Sequence, residues 1–210
     1  MNLVGLLVSF AVSFAFLVVA MTIHEFAHGW TANLLGDPTA KHSGRLTLNP
    51  LAHIDPFWTL LLPLLLFISS SGQFVFGAAK PVPINYWALK NPKRDVVLIG
   101  ASGPLANLLM ALGIALLMRS VAMHPLASTI LFNLLLINVV LGVFNLIPIP
   151  PLDGSRILMG LLPDRLADSY SRIEPFSFVI LLFFVWMGLF SRLIWPVVDA
   201  IVKLLLGGGG

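Results

Sequence analysis

Cysteine is absent from the 210 residues. Disulfide scaffolds, thiol nucleophiles, cysteine-ligated zinc and iron–sulfur clusters are thereby excluded. Any metal has to be held by His, Asp, Glu, Asn or water. Charge is almost as scarce: 10% of the residues are Asp, Glu, Lys or Arg, against about 25% in a soluble domain. That is too little to cover a water-facing surface. Apolar residues take their place at 58%, which predicts an integral, multi-pass membrane protein with the lipid bilayer as its surroundings. The net charge of +3 then implies no nucleic-acid partner, because Lys and Arg in such a protein report topology. Glutamate is the scarcest acid, present only as Glu25 and Glu174.

The apolar residues come in runs. Residues 3–23 are almost wholly apolar, and the helical pattern continues to Leu35, where Gly36-Asp37-Pro38 stops it. The run has no basic residues before it and leads into His24, Glu25 and His28, so it reads as a span and not as a cleaved signal peptide. In the polar stretch that follows, Arg45–Asn49 alternates at period two, which predicts a short strand. Residues 57–71 are apolar, short for a span and contain Pro63, which suits a re-entrant segment. A loop with Pro81, Pro83 and Pro92 leads to long apolar helices expected over 95–118 and 126–147. Residues 155–166 read as a surface helix, 174–190 as a further span, and 192–206 as a short span or an interfacial helix. The expected fold is all-α and polytopic, with about four to five transmembrane helices, a re-entrant segment and a short membrane-associated β element. One domain covers 1–206, and the glycines at 207–210 are a tail without a role.

Charge bias bears on the doubtful segment. If 57–71 does not cross and residue 1 is outside, Lys41, Arg45, Lys80, Lys90, Lys93, Arg94, Arg156, Arg165 and Arg172 face the cytoplasm, while Arg119, Arg192 and Lys203 face out. A full crossing divides these charges more evenly, so the positive-inside rule favours the re-entrant reading. The ends of the first and third long helices then lie on the same side.

His24-Glu25-Phe26-Ala27-His28 is an HExxH motif on a helix. Positions i and i+4 share a helical face, so both imidazoles can reach one metal ion, and the intervening Glu25 can act as a general base towards water. Histidine and glutamate inside a membrane helix are costly, which argues against a mere packing role. Two histidines do not complete a catalytic site, since zinc takes three protein ligands there. Asp153 is the leading third candidate: it follows a long apolar helix and lies in the break Pro148-Ile149-Pro150-Pro151-Leu152-Asp153-Gly154. Capping a helix that begins near Ser155 is its other possible duty.

HEFAH at 24–28, GPLAN at 103–107 and NLIPIPPLDG at 145–154 together resemble the site-2 proteases, which are intramembrane zinc metalloproteases. The resemblance spans residues 24–154, in order and spacing. It implies that His24, His28 and Asp153 ligate one Zn2+, that Glu25 is the general base, and that Asn145 and Asn107 contact substrate backbone or an oxyanion. Family members often carry a PDZ or CBS domain; these 210 residues contain neither, so they resemble the compact branch. The implied activity is hydrolysis of peptide bonds in or near transmembrane segments of membrane proteins. The implied location is a prokaryotic plasma or inner membrane, with the site open to the cytoplasm. An extended substrate segment could pair with the edge of the Arg45–Asn49 strand. A non-enzymatic metal transporter is the rival reading, since His and Asp also line ion pathways. A membrane-bound protease for soluble peptides would use the same residues. By contrast, Gly100, Ser102 and Gly103 read as close-packing positions, His53 and Asp55 as interfacial residues, and His42 and His124 as loop residues.

Overall fold

The computed structural model describes residues 3–69 and 77–208. Its helices are α1 (Leu3–Leu34), α2 (Thr39–His42), α3 (Leu62–Ser69), α4 (Pro92–Ser120), α5 (Pro125–Asn145), α6 (Asp153–Leu161), α7 (Asp164–Ser171), α8 (Ser177–Trp186) and α9 (Trp195–Leu206). Among the described residues three helices are long and apolar enough to cross a membrane: Phe10–Leu34, Pro92–Ser120 and Pro125–Asn145. The other apolar helices are each shorter than the roughly 20 residues a span needs.

The three long helices form the core of the molecule. α1 and α4 run antiparallel: Ala32 packs with Ile99 near one end, while Ala20 accepts a hydrogen bond from Asn107 further along. α5 is antiparallel to α4, since Asn107 meets Asn138 and Gly142 lies against Pro104 and Leu108. The last turn of α1, the first turns of α4 and the last turn of α5 are therefore at one end of the bundle. α6 is laid on this end of α4, close enough that a Cβ on Gly160 would collide with Val97 and the Lys93 carbonyl. At the other end of the bundle, Ile194 and Val198 pack against α4 and α5 residues such as Ala115 and Leu135.

Local chemistry explains the helix ends. α1 stops because Gly36 takes a left-handed conformation (φ +110°), and the Asp37 N–H turns back to the Ala32 carbonyl at 2.9 Å. Asp37 is fully buried; it accepts from Thr39 N and Thr39 Oγ1, and from Asn85 N at 2.6 Å. That carboxylate ties the end of α1 to the loop before α4. At the start of α4, the Asp95 side chain accepts from Asn91 N at 2.8 Å, an acidic residue reaching back to the helix start.

The structure departs from the sequence reading in several places. Arg45–Asn49 is irregular, with bends at 46–48, and no strand occurs among the described residues. The alternating pattern lacks a partner edge, and local bonds serve its backbone instead. The N–H groups of Arg45 and Leu46 donate to Ala40 O, and Thr47 O accepts from His53 Nε2 at 2.8 Å. The helix expected over 155–166 is two helices, because Pro163 cannot continue α6. The span expected over 174–190 narrows to α8 with a single 3-10 turn before it, since Gly188 is left-handed (φ +67°). The segment expected to be re-entrant is a π-helical turn, Pro56–Leu61, followed by α3; its residues 70 and 71 lie outside the described part, as do 72–76 of the following loop. Gly207, expected to have no role, is left-handed (φ +76°) and closes α9, while 209 and 210 lie outside the described part.

Candidate metal centre

His24 and His28 are successive turns of one face of α1, and both are buried. Asp153 is the first residue of α6, one place past the N-cap position, which Leu152 holds. The Asp153 Oδ2 lies 2.9 Å from His24 Nε2 and 3.2 Å from His28 Nε2, and the two Nε2 atoms are 3.0 Å apart. One ligand atom from each residue falls within 4.8 Å of the others, all three residues being buried. A tetrahedral site with bonds of about 2.0–2.1 Å has edges of roughly 3.3 Å, close to this triangle.

The far nitrogens of both rings are fixed by the protein. His28 Nδ1 is 2.7 Å from the Ile99 carbonyl, which can only accept. His24 Nδ1 is 2.7 Å from Asn107 Oδ1. The Asn107 amide is itself oriented, because its Nδ2 donates to Ala20 O at 3.0 Å and to Asn138 Oδ1 at 2.9 Å. Both imidazoles therefore donate from Nδ1 and aim an Nε2 lone pair at the carboxylate of Asp153. Three electron-rich atoms in mutual contact need a cation among them, and the donor set suits zinc. Room is provided by Gly103 on α4, where a Cβ would stand 2.5 Å from His28 Nε2 and 2.6 Å from His24 Nε2. Burial pushes the Asp153 carboxyl upward, and positive charge at the two imidazoles outweighs this and holds it well below the ordinary carboxylate range; with both Nε2 lone pairs turned toward it, that positive charge has to come from a cation.

Glu25 stands next to the pair, half-buried, with Oε2 accepting from Val82 N at 2.8 Å. Val82 lies between Pro81 and Pro83, neither of which has an N–H, so it is the one donor of that triplet. The loop carrying it is tied down by Arg45, whose Nη2 donates to Lys80 O at 2.6 Å.

A family model described as peptidase family M50 matches residues 118–188. YwhC of Bacillus subtilis, by name a zinc metalloprotease, is 40% identical over 201 residues, which cover 90% of this chain and 88% of YwhC. The chain belongs to peptidase family M50, the site-2 protease family. Rip2 of Mycobacterium tuberculosis H37Rv is 31% identical over 167 residues, covering 79% of this chain and 62% of Rip2. The zinc metalloprotease MJ0392 of Methanocaldococcus jannaschii is 28% identical over 155 residues, covering 74% of this chain and 35% of its own length. The chain thus spans most of YwhC and a smaller part of the longer relatives. No solved structure matches it. With its family and its three apolar helices, this is an integral membrane protein.

Within this M50 chain the structure brings His24, His28 and Asp153 together and sets Glu25 beside them. Asn107 is fully buried, with both amide hydrogens on protein acceptors and its oxygen on His24 Nδ1. Asn145, at the end of α5, donates from Nδ2 to its own helix at Leu141 O, 3.0 Å away. His53 is buried with Nε2 on the Thr47 carbonyl, and Asp55 caps the turn that begins at Pro56. Sequence reasoning passed over Asn138, Ile99 and Val82. An amide in the middle of an apolar helix was a legible signal for Asn138. Ile99 and Val82 act through their backbones, so their side chains give no sign of it.

Proposed function

We propose that this M50 chain is a zinc-dependent intramembrane endopeptidase, hydrolysing peptide bonds in or near transmembrane segments of membrane proteins. The observation that carries the reading is the convergence of three lone-pair donors, His24 Nε2, His28 Nε2 and Asp153 Oδ2, beside a glycine that leaves space for an ion. These residues hold one Zn2+. Bound there, zinc supplies a Lewis acid that polarises the scissile carbonyl and lowers the pKa of water. Glu25 takes the proton from the attacking water and delivers it to the departing amine. Asn145, eight residues before Asp153 at the same end of the bundle, contacts the substrate backbone.

The site lies along α1 about 9–15 Å from its last residue, at 1.5 Å per residue. Water reaches it from that end of the bundle, the cytoplasmic one by the charge bias, with residue 1 outside. The chain leaves α1 and enters α4 at this same end, which supports a segment 57–71 that enters and leaves by one face. A substrate helix has to unwind before cleavage, since its carbonyls are otherwise hydrogen-bonded within the helix. The substrate carbonyl so released is the one exposed to attack.

The deciding experiment is Glu25→Gln, assayed for zinc content and for cleavage of single-span substrates reconstituted with the enzyme. The expected outcome is folded, zinc-loaded protein whose turnover falls about 10²–10⁴-fold, the contribution of a positioned base. Wild-type protein that binds zinc and carries it across vesicles without cleaving any substrate would favour the transporter and overturn the protease reading.

A further inference from the structure

We infer that Asn138 is a positioning residue for the metal centre: it sets the orientation of the Asn107 amide, which in turn makes His24 present Nε2 to the ion. The inference rests on the reading of His24 as a zinc ligand.

The relay crosses three helices. Asn138 on α5 donates from Nδ2 to its own helix at Leu134 O, 2.8 Å away, which leaves Oδ1 to accept from Asn107 Nδ2 at 2.9 Å. Asn107 on α4 spends its second amide hydrogen on Ala20 O at 3.0 Å. Only Oδ1 remains to face His24 Nδ1 on α1, at 2.7 Å. Turning the Asn107 amide over would place its oxygen against two acceptors, Ala20 O and Asn138 Oδ1, and its NH₂ against a ring nitrogen that already donates. Asn107 and Asn138 are both 0% exposed, so bulk water does not reach either amide. With Asn138 Oδ1 removed, one of the two constraints that hold the amide is gone. His24 then gains access to the tautomer that places a proton on Nε2, where the ion has to bind. Partners of metal-bound histidines behave this way, and their loss costs about 10–100-fold in metal affinity.

A purely structural amide would act differently, and α5 supplies the comparison. Asn133 is an exposed amide on the same helix, with Nδ2 bonded to Thr129 O of its own helix at 2.8 Å. The test measures zinc affinity by competition with a chelator on the purified protein in detergent, alongside the thermal unfolding of the metal-free form. Asn138→Leu is expected to weaken zinc binding about 10-fold or more, and Asn133→Leu to leave it unchanged. Asn138→Asp keeps an oxygen acceptor and, neutral in this buried setting, can still donate to Leu134 O; its affinity is expected to stay near that of wild type. Asn107→Leu combined with Asn138→Leu should bind zinc no more weakly than Asn107→Leu alone, because Asn138 acts only through Asn107. Should Asn138→Leu not accumulate as folded protein, Asn138→Ala removes the amide without adding volume and carries the same expectation. Wild-type zinc affinity in a folded Asn138→Leu or Asn138→Ala protein overturns the inference, as does full additivity with Asn107→Leu. If wild-type protein and His28→Ala bind zinc equally, it is the metal-centre reading itself that fails.

Discussion

Gly103→Ala is the sharpest perturbation of the site, because it adds one carbon and replaces no ligand. The new Cβ would lie 2.5 Å from His28 Nε2, 2.6 Å from His24 Nε2 and 2.7 Å from His24 Cε1, where ordinary contact begins at 3.4 Å. The rings therefore have to retreat by about 0.8–0.9 Å, several times the ±0.2 Å within which metal–ligand distances are held. Their Nδ1 bonds, both 2.7 Å, oppose the movement, and each is worth about 0.5–1.5 kcal/mol. The helix itself gains, since alanine is favoured over glycine by about 1 kcal/mol in a helix interior. Metal-free Gly103→Ala is thus expected within about 2 kcal/mol of wild type, yet without its zinc. Elemental analysis gives the stoichiometry. Thermal unfolding with and without added zinc gives the second measure, since a ligand at 100 times its Kd stabilises by about 2.7 kcal/mol. Wild type should show that shift and Gly103→Ala should not. Gly113→Ala is the comparator, on the same helix with nothing within 4 Å of its Cβ, and it should keep both zinc and activity. One zinc per chain and a wild-type shift in Gly103→Ala would refute the argument that this space belongs to the ion.

Other expectations bear on the neighbouring groups. Asp153→Ala should lose stoichiometric zinc, read by elemental analysis; full retention after losing both Asp153 and His28 would remove the site. Asp37→Ala removes the buried carboxylate that accepts from Thr39 and Asn85, so urea unfolding should show a loss of about 1–3 kcal/mol, the range for hydrogen bonds to a charged group, and an unchanged midpoint would contradict the tie it makes between α1 and the Val82 loop. Single cysteines placed at Ser43, Asn91 and Ser120, in a chain with none of its own, should label from the cytoplasm at the first two and from the opposite side at the third; opposite labelling of Ser43 and Asn91 would mean that 57–71 crosses.

The sequence by itself determined the membrane setting, the three long helices and the histidine pair of the candidate metal centre. These are legible because each is carried by residue type at short range. An apolar run has no use for water, a Gly-Asp-Pro stops a helix, and two histidines four apart share a face wherever the helix is placed. Asp153 was legible only as a choice between ligand and cap, since a carboxylate at a helix start can do either. Tertiary structure turned it toward the histidines by laying α6 on α4 at the end where α1 finishes. The same packing decided what neither spacing nor composition encodes. Ile99 and Val82 act through backbone atoms, which every residue has. Gly103 matters for a side chain it lacks, and Asn107 faces His24 because Ala20 and Asn138 claim its other side. The Arg45–Asn49 pattern shows the converse. Alternation permits a strand, but a strand needs an edge to pair with, and here Ala40 and His53 satisfy the backbone first.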